Sequence, residues 1–336
     1  MRYQWIDSLK GLGIILVIAT HSPLSIAYPK LLKLLATGYM AMFFILSGYT
    51  TKKEAFGPAI KKKAMRLLIP YIFYGVVITF LFSITGLVRN STNEWIGLLY
   101  SRYAIYPLQH ANNTFLLRTT SPLWFLTAMF MAYTWFYSYV NLKKATHRNV
   151  CIALYIAATI ALHDIGVLLP WSIDTSFLCA LFIIVGYKFS SYATTVYRKR
   201  FKYFATLSIL LGIYITIVTY NGSVNLSVGY YGNLGTLSIF LYFMLSIIFT
   251  ILYSEILKLS NNKITHFLAF VGKHSLRLMC IHFPLIVLLG PLFTKMEVFG
   301  KFATFISAFI ISLGTSMAIE KIRNRYAGKY PMLRFI

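Results

Sequence analysis

Long apolar runs, separated by short polar segments, cover nearly the whole chain. A helical membrane span needs about 20 predominantly apolar residues, and ten runs approach or reach that length. They lie near residues 11–27, 34–50, 67–88, 122–140, 150–169, 175–190, 203–220, 236–256, 276–293 and 302–319. The pattern predicts an all-α fold, a polytopic integral membrane helix bundle with about ten transmembrane helices.

The sequence gives no sign of a boundary between domains. It contains no internal repeat, low-complexity tract or long Pro/Gly linker, so we expect residues 1–336 to form a single membrane-embedded domain. The first apolar run resembles a signal peptide in position, but it is as long as a full span and no convincing small-residue cleavage site follows it. We therefore expect an uncleaved first helix.

The composition is that of a membrane protein. Apolar and aromatic residues make up 58% of the chain and charged residues 12%, whereas a soluble domain carries about a quarter charged residues. This balance excludes a soluble enzyme, a disordered chain and a disulfide scaffold. The three cysteines, Cys151, Cys179 and Cys280, all lie in apolar stretches, and we expect neither a disulfide nor a metal site from them.

The basic residues predict the orientation in the membrane. The chain has 32 Lys+Arg against 8 Asp+Glu, a formal net charge of +24. With ten spans and a cytosolic N-terminus, 25 of the 32 basic residues fall in cytosolic segments and 7 in outer loops, as the positive-inside rule requires. We therefore predict that both termini are cytosolic. Topology explains most of the positive charge, and we expect no nucleic-acid partner.

Three polar side chains around the first run are candidates for function. Lys10 and His21 are eleven residues apart, which is three helical turns plus about 20°, and Asp7 lies roughly 40° off the same line. All three therefore share one helix face, with His21 about 16 Å from Lys10 along the axis. Ionisable groups are costly inside a membrane and are often functional. The alternative is a structural histidine that is hydrogen-bonded to a neighbouring helix.

A basic cluster precedes the third run. It consists of Lys61, Lys62, Lys63 and Arg66. Positive-inside anchoring alone predicts such a cluster, and the functional alternative is a phosphate clamp with Lys63 and Arg66 on one helical face. Upstream of the cluster, Ser47 and Gly48 close the second run, where a glycine either allows close approach or ends a helix.

Two further residues and one glycine pair are notable. His282 lies in the ninth run beside Pro284, where a proline frees backbone carbonyls. Trp124 is interpreted first as an aromatic-belt anchor at an outer interface, although aromatic walls also serve as sugar platforms. Gly11-Leu12-Gly13 is interpreted as a close helix-packing patch. The chain has no GxSxG elbow, P-loop, GxGxxG or metal-ligand cluster, so hydride transfer, ATP hydrolysis and zinc hydrolysis have no support.

Several blocks together resemble the membrane acyltransferase 3 family. The opening segment IDSLKGLGIILVIATHS reproduces the family's basic residue and essential histidine as Lys10 and His21. The resemblance continues in family order through FFILSGY, KKKAMRLLIPY, PLWFL and GKHSLRLMCIHFPLI, and the chain is similar to the fucose 4-O-acetylase-like branch of bacterial glycan O-acetyltransferases. The family's double-arginine motif appears here as Lys63 and Arg66, and Lys10 stands where many members have arginine. A lysine keeps the charge but lacks the bidentate fork of arginine.

The resemblance implies transfer of an acetyl group from cytosolic acetyl-CoA to a sugar hydroxyl of a surface polysaccharide or its lipid-linked precursor. It implies no permanently bound cofactor and no metal, and a bacterial inner-membrane location. We expect His21 to be catalytic, as general base or acetyl carrier. The other expected site residues are Lys63 and Arg66 on the CoA phosphates, Lys10 as a further contact or a partner of the orienting Asp7, and Ser47, Trp124 and His282 in the pocket.

The main alternative is a transporter or lipid-linked oligosaccharide flippase, which would also have many spans and buried charges. Inverted repeats with paired broken helices would favour it, and none is visible in the sequence. The choice of acetyl over another short acyl group, the acceptor sugar and the oligomeric state stay open at this point.

Overall fold

The computed structural model describes residues 3–85, 91–101, 120–192, 200–260, 262–293 and 296–336. These residues form helices, and within them no β-strand occurs beyond an isolated bridge between Asn225 and Tyr230. The α-helices are α1 (Gln4–His21), α2 (Leu24–Ala27), α3 (Pro29–Ala36), α4 (Tyr39–Thr50), α5 (Phe56–Ile84), α6 (Ser91–Tyr100), α7 (Trp124–Val140), α8 (Ala145–Ile165), α9 (Ile173–Tyr192), α10 (Arg200–Asn221), α11 (Leu237–Leu259), α12 (Lys263–Lys273), α13 (Ser275–Phe293) and α14 (Glu297–Tyr326). The predicted all-α class is confirmed for this part of the chain.

In the part of the chain that the structure describes, seven helical segments are long and apolar enough to cross a membrane, so the chain is a multi-pass membrane protein. They are Pro29–Thr50, Phe56–Ile84, Ala145–Ile165, Pro170–Ser190, Leu237–Leu259, Ser275–Phe293 and Glu297–Tyr326. The other three predicted runs also coincide with helices. Among these, α1 carries Asp7 and Lys10, which lower its hydropathy, α7 has only 17 residues, and α10 has an apolar stretch at Ile209–Asn221.

The first predicted run has the wrong bounds. The first helix covers residues 4–21 rather than 11–27, because Ser22 takes an extended conformation (φ −85°, ψ 167°) before Pro23. A residue that precedes proline is disfavoured in the helical region. His21 is therefore the last residue of its helix instead of lying in the middle of one. The second predicted run is split between α3 and α4 at Gly38.

Glycines bring pairs of helices into backbone contact. A Cβ on Gly11 would lie 1.9 Å from the carbonyl oxygen of Leu268, and one on Gly272 would lie 1.8 Å from that of Asp7. Such separations leave no room for a side chain, so α1 and α12 pack directly backbone to backbone. This confirms the predicted packing role of Gly11 and holds the Asp7–Lys10 end of α1 in place.

A second crossing joins α4 and α9. A Cβ on Gly48 would lie 2.0 Å from the carbonyl oxygen of Ile183, and one on Gly186 would lie 1.9 Å from that of Ile45. Of the two interpretations of Gly48, close approach is therefore the observed one. Helix α7 contacts α5 and α9, and α13 contacts α1, α5 and α14, so α1, α4, α5, α7 and α13 surround a common interior.

Candidate active site

Two cavities lie along α1, one towards each end. The basic cavity, about 600 Å³, is lined by Asp7, Lys10, Ser47, Lys63 and Arg66 among others. The histidine cavity, about 400 Å³, is lined by His21 and Trp124 among others. Met279 on α13 lines both cavities and is only 3% exposed. Its side chain therefore forms a shared wall between the two.

The basic cavity carries a strong excess of positive charge. Six Lys or Arg residues and two carboxylates are among the residues that line it. The cations are Lys10, Lys52, Lys62, Lys63, Arg66 and Lys273, and the carboxylates are Asp7 and Glu54. A concave site lined by one sign of charge concentrates ligands of the opposite sign, so this cavity is suited to a polyanion.

The three cations of the α5 cluster that line this cavity have different surroundings. Lys62 forms an ion pair with Glu54 at 2.9 Å. The hydrogen bond from Lys62, aided by nearby positive charges, lowers the pKa of Glu54 and keeps it ionised. Lys63 lies over the ring of Tyr133, with Nζ 3.5 Å from the ring centroid. Arg66 is exposed and has no hydrogen bond or ion pair within the described residues.

Ser47 lies on the cavity wall where α4 meets α7. Its carbonyl oxygen accepts a hydrogen bond from Thr51 Oγ1 at 2.7 Å and one from the Tyr133 hydroxyl at 3.4 Å. The Tyr133 hydroxyl oxygen also lies within hydrogen-bond distance of Thr51 Oγ1, at 3.2 Å. These bonds hold the end of α4 against α7 and place the Tyr133 ring under Lys63.

Apart from Lys33 and His21, the polar groups that line the histidine cavity are neutral, and aromatic rings lie among them. Its hydroxyl groups come from α1, α2, α4, α11 and the connecting segments, and belong to Thr20, Ser25, Thr37, Tyr39, Ser121, Ser223, Ser227 and Tyr242. Asn225 adds an amide and Trp124 an indole. Trp124 is 6% exposed, so it lies in the interior rather than at a lipid-facing surface. Hydroxyl, amide and aromatic groups together suit a sugar.

His21 and His282 are neighbours at this cavity. Their ring centroids are 5.4 Å apart, and Phe283 packs edge-on against His21 at 5.3 Å. His282 is fully buried and donates from Nδ1 to the carbonyl oxygen of Leu278 at 2.8 Å. Since Nδ1 carries the proton, Nε2 has a free lone pair, and within the described residues this buried atom has no hydrogen-bond partner.

The structure divides the predicted site residues into two groups. Asp7, Lys10, Ser47, Lys63 and Arg66 share the basic cavity, whereas His21, Trp124 and the adjacent His282 lie at the other. Lys10 and His21 therefore share one face of α1, but Lys10 lines the basic cavity and His21 lines the histidine cavity.

The lining residues that sequence reasoning missed include Tyr133, Lys273, Met279 and Lys33. Lys273 is the second residue of the block GKHSLRL, and Lys33 is one of the few basic residues assigned to an outer loop; each of these is a weak signal. Nothing in the pattern distinguishes Met279 or Tyr133 from their apolar neighbours.

Comparison with known proteins gives one match. Residues 3–321 match a protein-family model described as an acyltransferase domain. No curated protein and no solved structure matches the chain.

Proposed function

The chain belongs to the acyltransferase 3 family and is a membrane acyltransferase, and we propose that it moves an acetyl group from acetyl-CoA to a sugar hydroxyl. The acceptor is a bacterial surface polysaccharide or its lipid-linked precursor, and the protein resides in the bacterial inner membrane. One observation carries the proposal. A polycationic cavity and a hydroxyl-rich cavity share the side chain of Met279 as a wall, with His21 on the hydroxyl-rich side.

The basic cavity is the donor site. CoA carries several phosphate negative charges, and Lys or Arg side chains bind phosphate through charge-assisted hydrogen bonds. Arg66 is exposed and without an ion-pair partner in the described chain, so its guanidinium is free to bind phosphate, and Lys63 and Lys10 supply further charge. Asp7 orients Lys10, and Ser47 shapes the wall where the thioester passes.

The histidine cavity is the acceptor site. Trp124 offers an apolar ring face for a sugar, and the surrounding hydroxyl and amide groups bind sugar hydroxyls. His21 and Lys10 are about 16 Å apart along α1. An extended pantetheine arm covers that distance, so the phosphates bind in one cavity while the thioester reaches the other past Met279.

His21 acts as general base in the transfer. Its neutral imidazole takes the proton of the sugar hydroxyl as the oxygen attacks the thioester carbonyl carbon. The carbon–sulfur bond breaks, and CoA leaves as a thiol after it receives a proton from the imidazolium. The buried His282 ring packs beside the His21 ring, with centroids 5.4 Å apart, and limits the positions that the His21 ring can adopt, which makes His282 a positioning residue. An acetylated His21 is the alternative route.

The orientation predicted from the basic residues supports placing the two cavities on opposite sides of the membrane. With ten spans and both termini cytosolic, the Lys10 end of α1 faces the cytosol, where acetyl-CoA is present. The histidine cavity then opens towards the outer half of the membrane, where a surface glycan or its lipid-linked precursor is accessible.

The test is CoA release from acetyl-CoA by the purified protein in lipid, with crude cell glycolipid as acceptor. We expect acceptor-dependent release by the wild type and none by His21→Ala, which retains wild-type chromatographic behaviour. Equal release by both proteins contradicts the role of His21. Binding of glycolipid without any use of acetyl-CoA favours the transporter or flippase instead.

A further inference from the structure

Lys33 is the one charged residue among the described residues that line the histidine cavity, apart from the titratable His21. It lies in the last turn of α3, and Pro29, Leu32 and Ala36 of the same helix share the cavity wall with it. The other polar groups there are hydroxyls and an amide. No carboxylate of the described chain therefore balances the ammonium group inside this cavity.

The ammonium group of Lys33 has no protein partner in the described chain. It forms no ion pair, and the bond recorded at this residue uses its backbone carbonyl, which accepts from Thr37 Oγ1. The side chain is partly buried. A partly buried cation without a counter-charge is costly, so its presence in a substrate cavity points to a negative charge on the ligand.

Membrane topology does not explain Lys33. The positive-inside rule places basic residues on the cytosolic side, whereas Lys33 belongs to the minority of 7 in predicted outer loops. Lys30, one helical turn earlier, is exposed and does not line the cavity. Both lysines lie on α3 and carry the same charge, but only Lys33 lines the cavity.

We propose that the acceptor carries a negative charge close to the acetylated hydroxyl, and that Lys33 binds this charge. The proposal rests on the proposed function, because it describes the acceptor of that transfer. The anionic group is a sugar carboxylate or a phosphate of the glycan or its lipid carrier. Either group accepts charge-assisted hydrogen bonds from an ammonium. Lys33 then selects acidic acceptors and positions their hydroxyl beside His21.

The experiment uses the purified protein in phosphatidylcholine nanodiscs, whose lipid carries no net charge. Glycolipid from the cells that make the protein is separated by anion exchange into neutral and acidic pools. CoA release from acetyl-CoA is measured with each pool for wild type, Lys33→Gln and the matched control Lys30→Gln. We expect release only with the acidic pool, at least a tenfold rise in acceptor KM for Lys33→Gln, an unchanged KM for acetyl-CoA, and wild-type behaviour of Lys30→Gln.

Release with the neutral pool, or equal losses in both variants, overturns the proposal. Carbodiimide-mediated reduction of carboxylates in the acidic pool identifies the anion: loss of activity indicates a sugar carboxylate, and retained activity indicates a phosphate.

If the wild type releases no CoA with either pool, the proposed acetyl transfer fails, and binding of the acidic pool decides the role of Lys33. Affinity for the acidic pool is measured by quenching of tryptophan fluorescence. An affinity at least tenfold lower for Lys33→Gln alone supports the proposal, and equal affinities for all three proteins overturn it.

Discussion

The imidazole rings of His21 and His282 lie 5.4 Å apart, centroid to centroid, although they belong to the first and the thirteenth helix. His21 ends α1 and lines the cavity, while His282 is completely buried behind it. The hydrogen bond of His282 to Leu278 commits its Nδ1 proton and leaves Nε2 as an acceptor. The contact therefore places a fully buried imidazole beside the ring that lines the cavity.

The first prediction concerns that partner. Replacing His282 by Asn removes the buried ring, with its unpaired Nε2, that packs beside His21, so we expect kcat to fall by up to about 100-fold while both KM values change little. Replacement by Gln, which carries a longer acceptor, should restore part of the rate. Steady-state kinetics on proteins of matched monodispersity provide the measurement. A variant that only loses folded protein, with normal kcat for the remainder, contradicts a positioning role.

The second prediction concerns the donor site. Lys63→Gln and Arg66→Gln each remove a cation from the basic cavity, and a hydrogen bond to a charged group contributes about 1.5–3 kcal/mol. We expect the KM for acetyl-CoA to rise by roughly 10- to 100-fold in each variant, with the acceptor KM unchanged. Lys61→Gln is the matched control, because Lys61 belongs to the same run and does not line the cavity. Equal effects at all three positions would indicate a general effect of charge on topology.

The sequence contains enough information to predict the helices but not how they combine. Apolar length located both α8, most of which is not buried, and α9, most of which is buried, because the length of an apolar run does not depend on what packs against it. It failed at His21, where the preference of Ser22 before Pro23 ended the helix. The apolar run continues past Ser22 and Pro23 to about residue 27, so the hydropathy pattern does not show where this local preference ends the helix.

The site was predictable only in part, for a related reason. Lys63 meets Tyr133 and His21 meets His282 through contacts between distant segments, and periodicity carries no information on such pairs. The resemblance to the family supplied the residue identities. It did not supply the division into two cavities, because that follows from how distant helices pack around α1, with Met279 of α13 lining both.

The third prediction concerns the crossing of α1 and α12. Gly11→Ala places a methyl group 1.9 Å from the carbonyl oxygen of Leu268, so the helices must separate, and we expect a loss of about 1–3 kcal/mol in stability. Thermal unfolding in detergent measures it as a lower midpoint. Gly212→Ala in α10 is the control, since its Cβ would meet no atom within 4 Å and alanine favours the helix. Similar midpoints for both variants would show that the crossing tolerates a side chain.

The last prediction concerns the wall between the cavities. Met279 is almost completely buried and contributes to both cavities, so its side chain limits the space available to the acyl group that passes between them. Met279→Ala removes most of that side chain, and the fit of one methylene in an apolar pocket changes selectivity by about 10- to 200-fold. We therefore expect the ratio of kcat/KM for butyryl-CoA to that for acetyl-CoA to rise at least tenfold. Met279→Leu, which keeps most of the volume, should leave the ratio near wild type. If Met279→Ala lowers activity towards both donors equally, the wall does not determine acyl length, and the thioester reaches His21 by a route that avoids Met279.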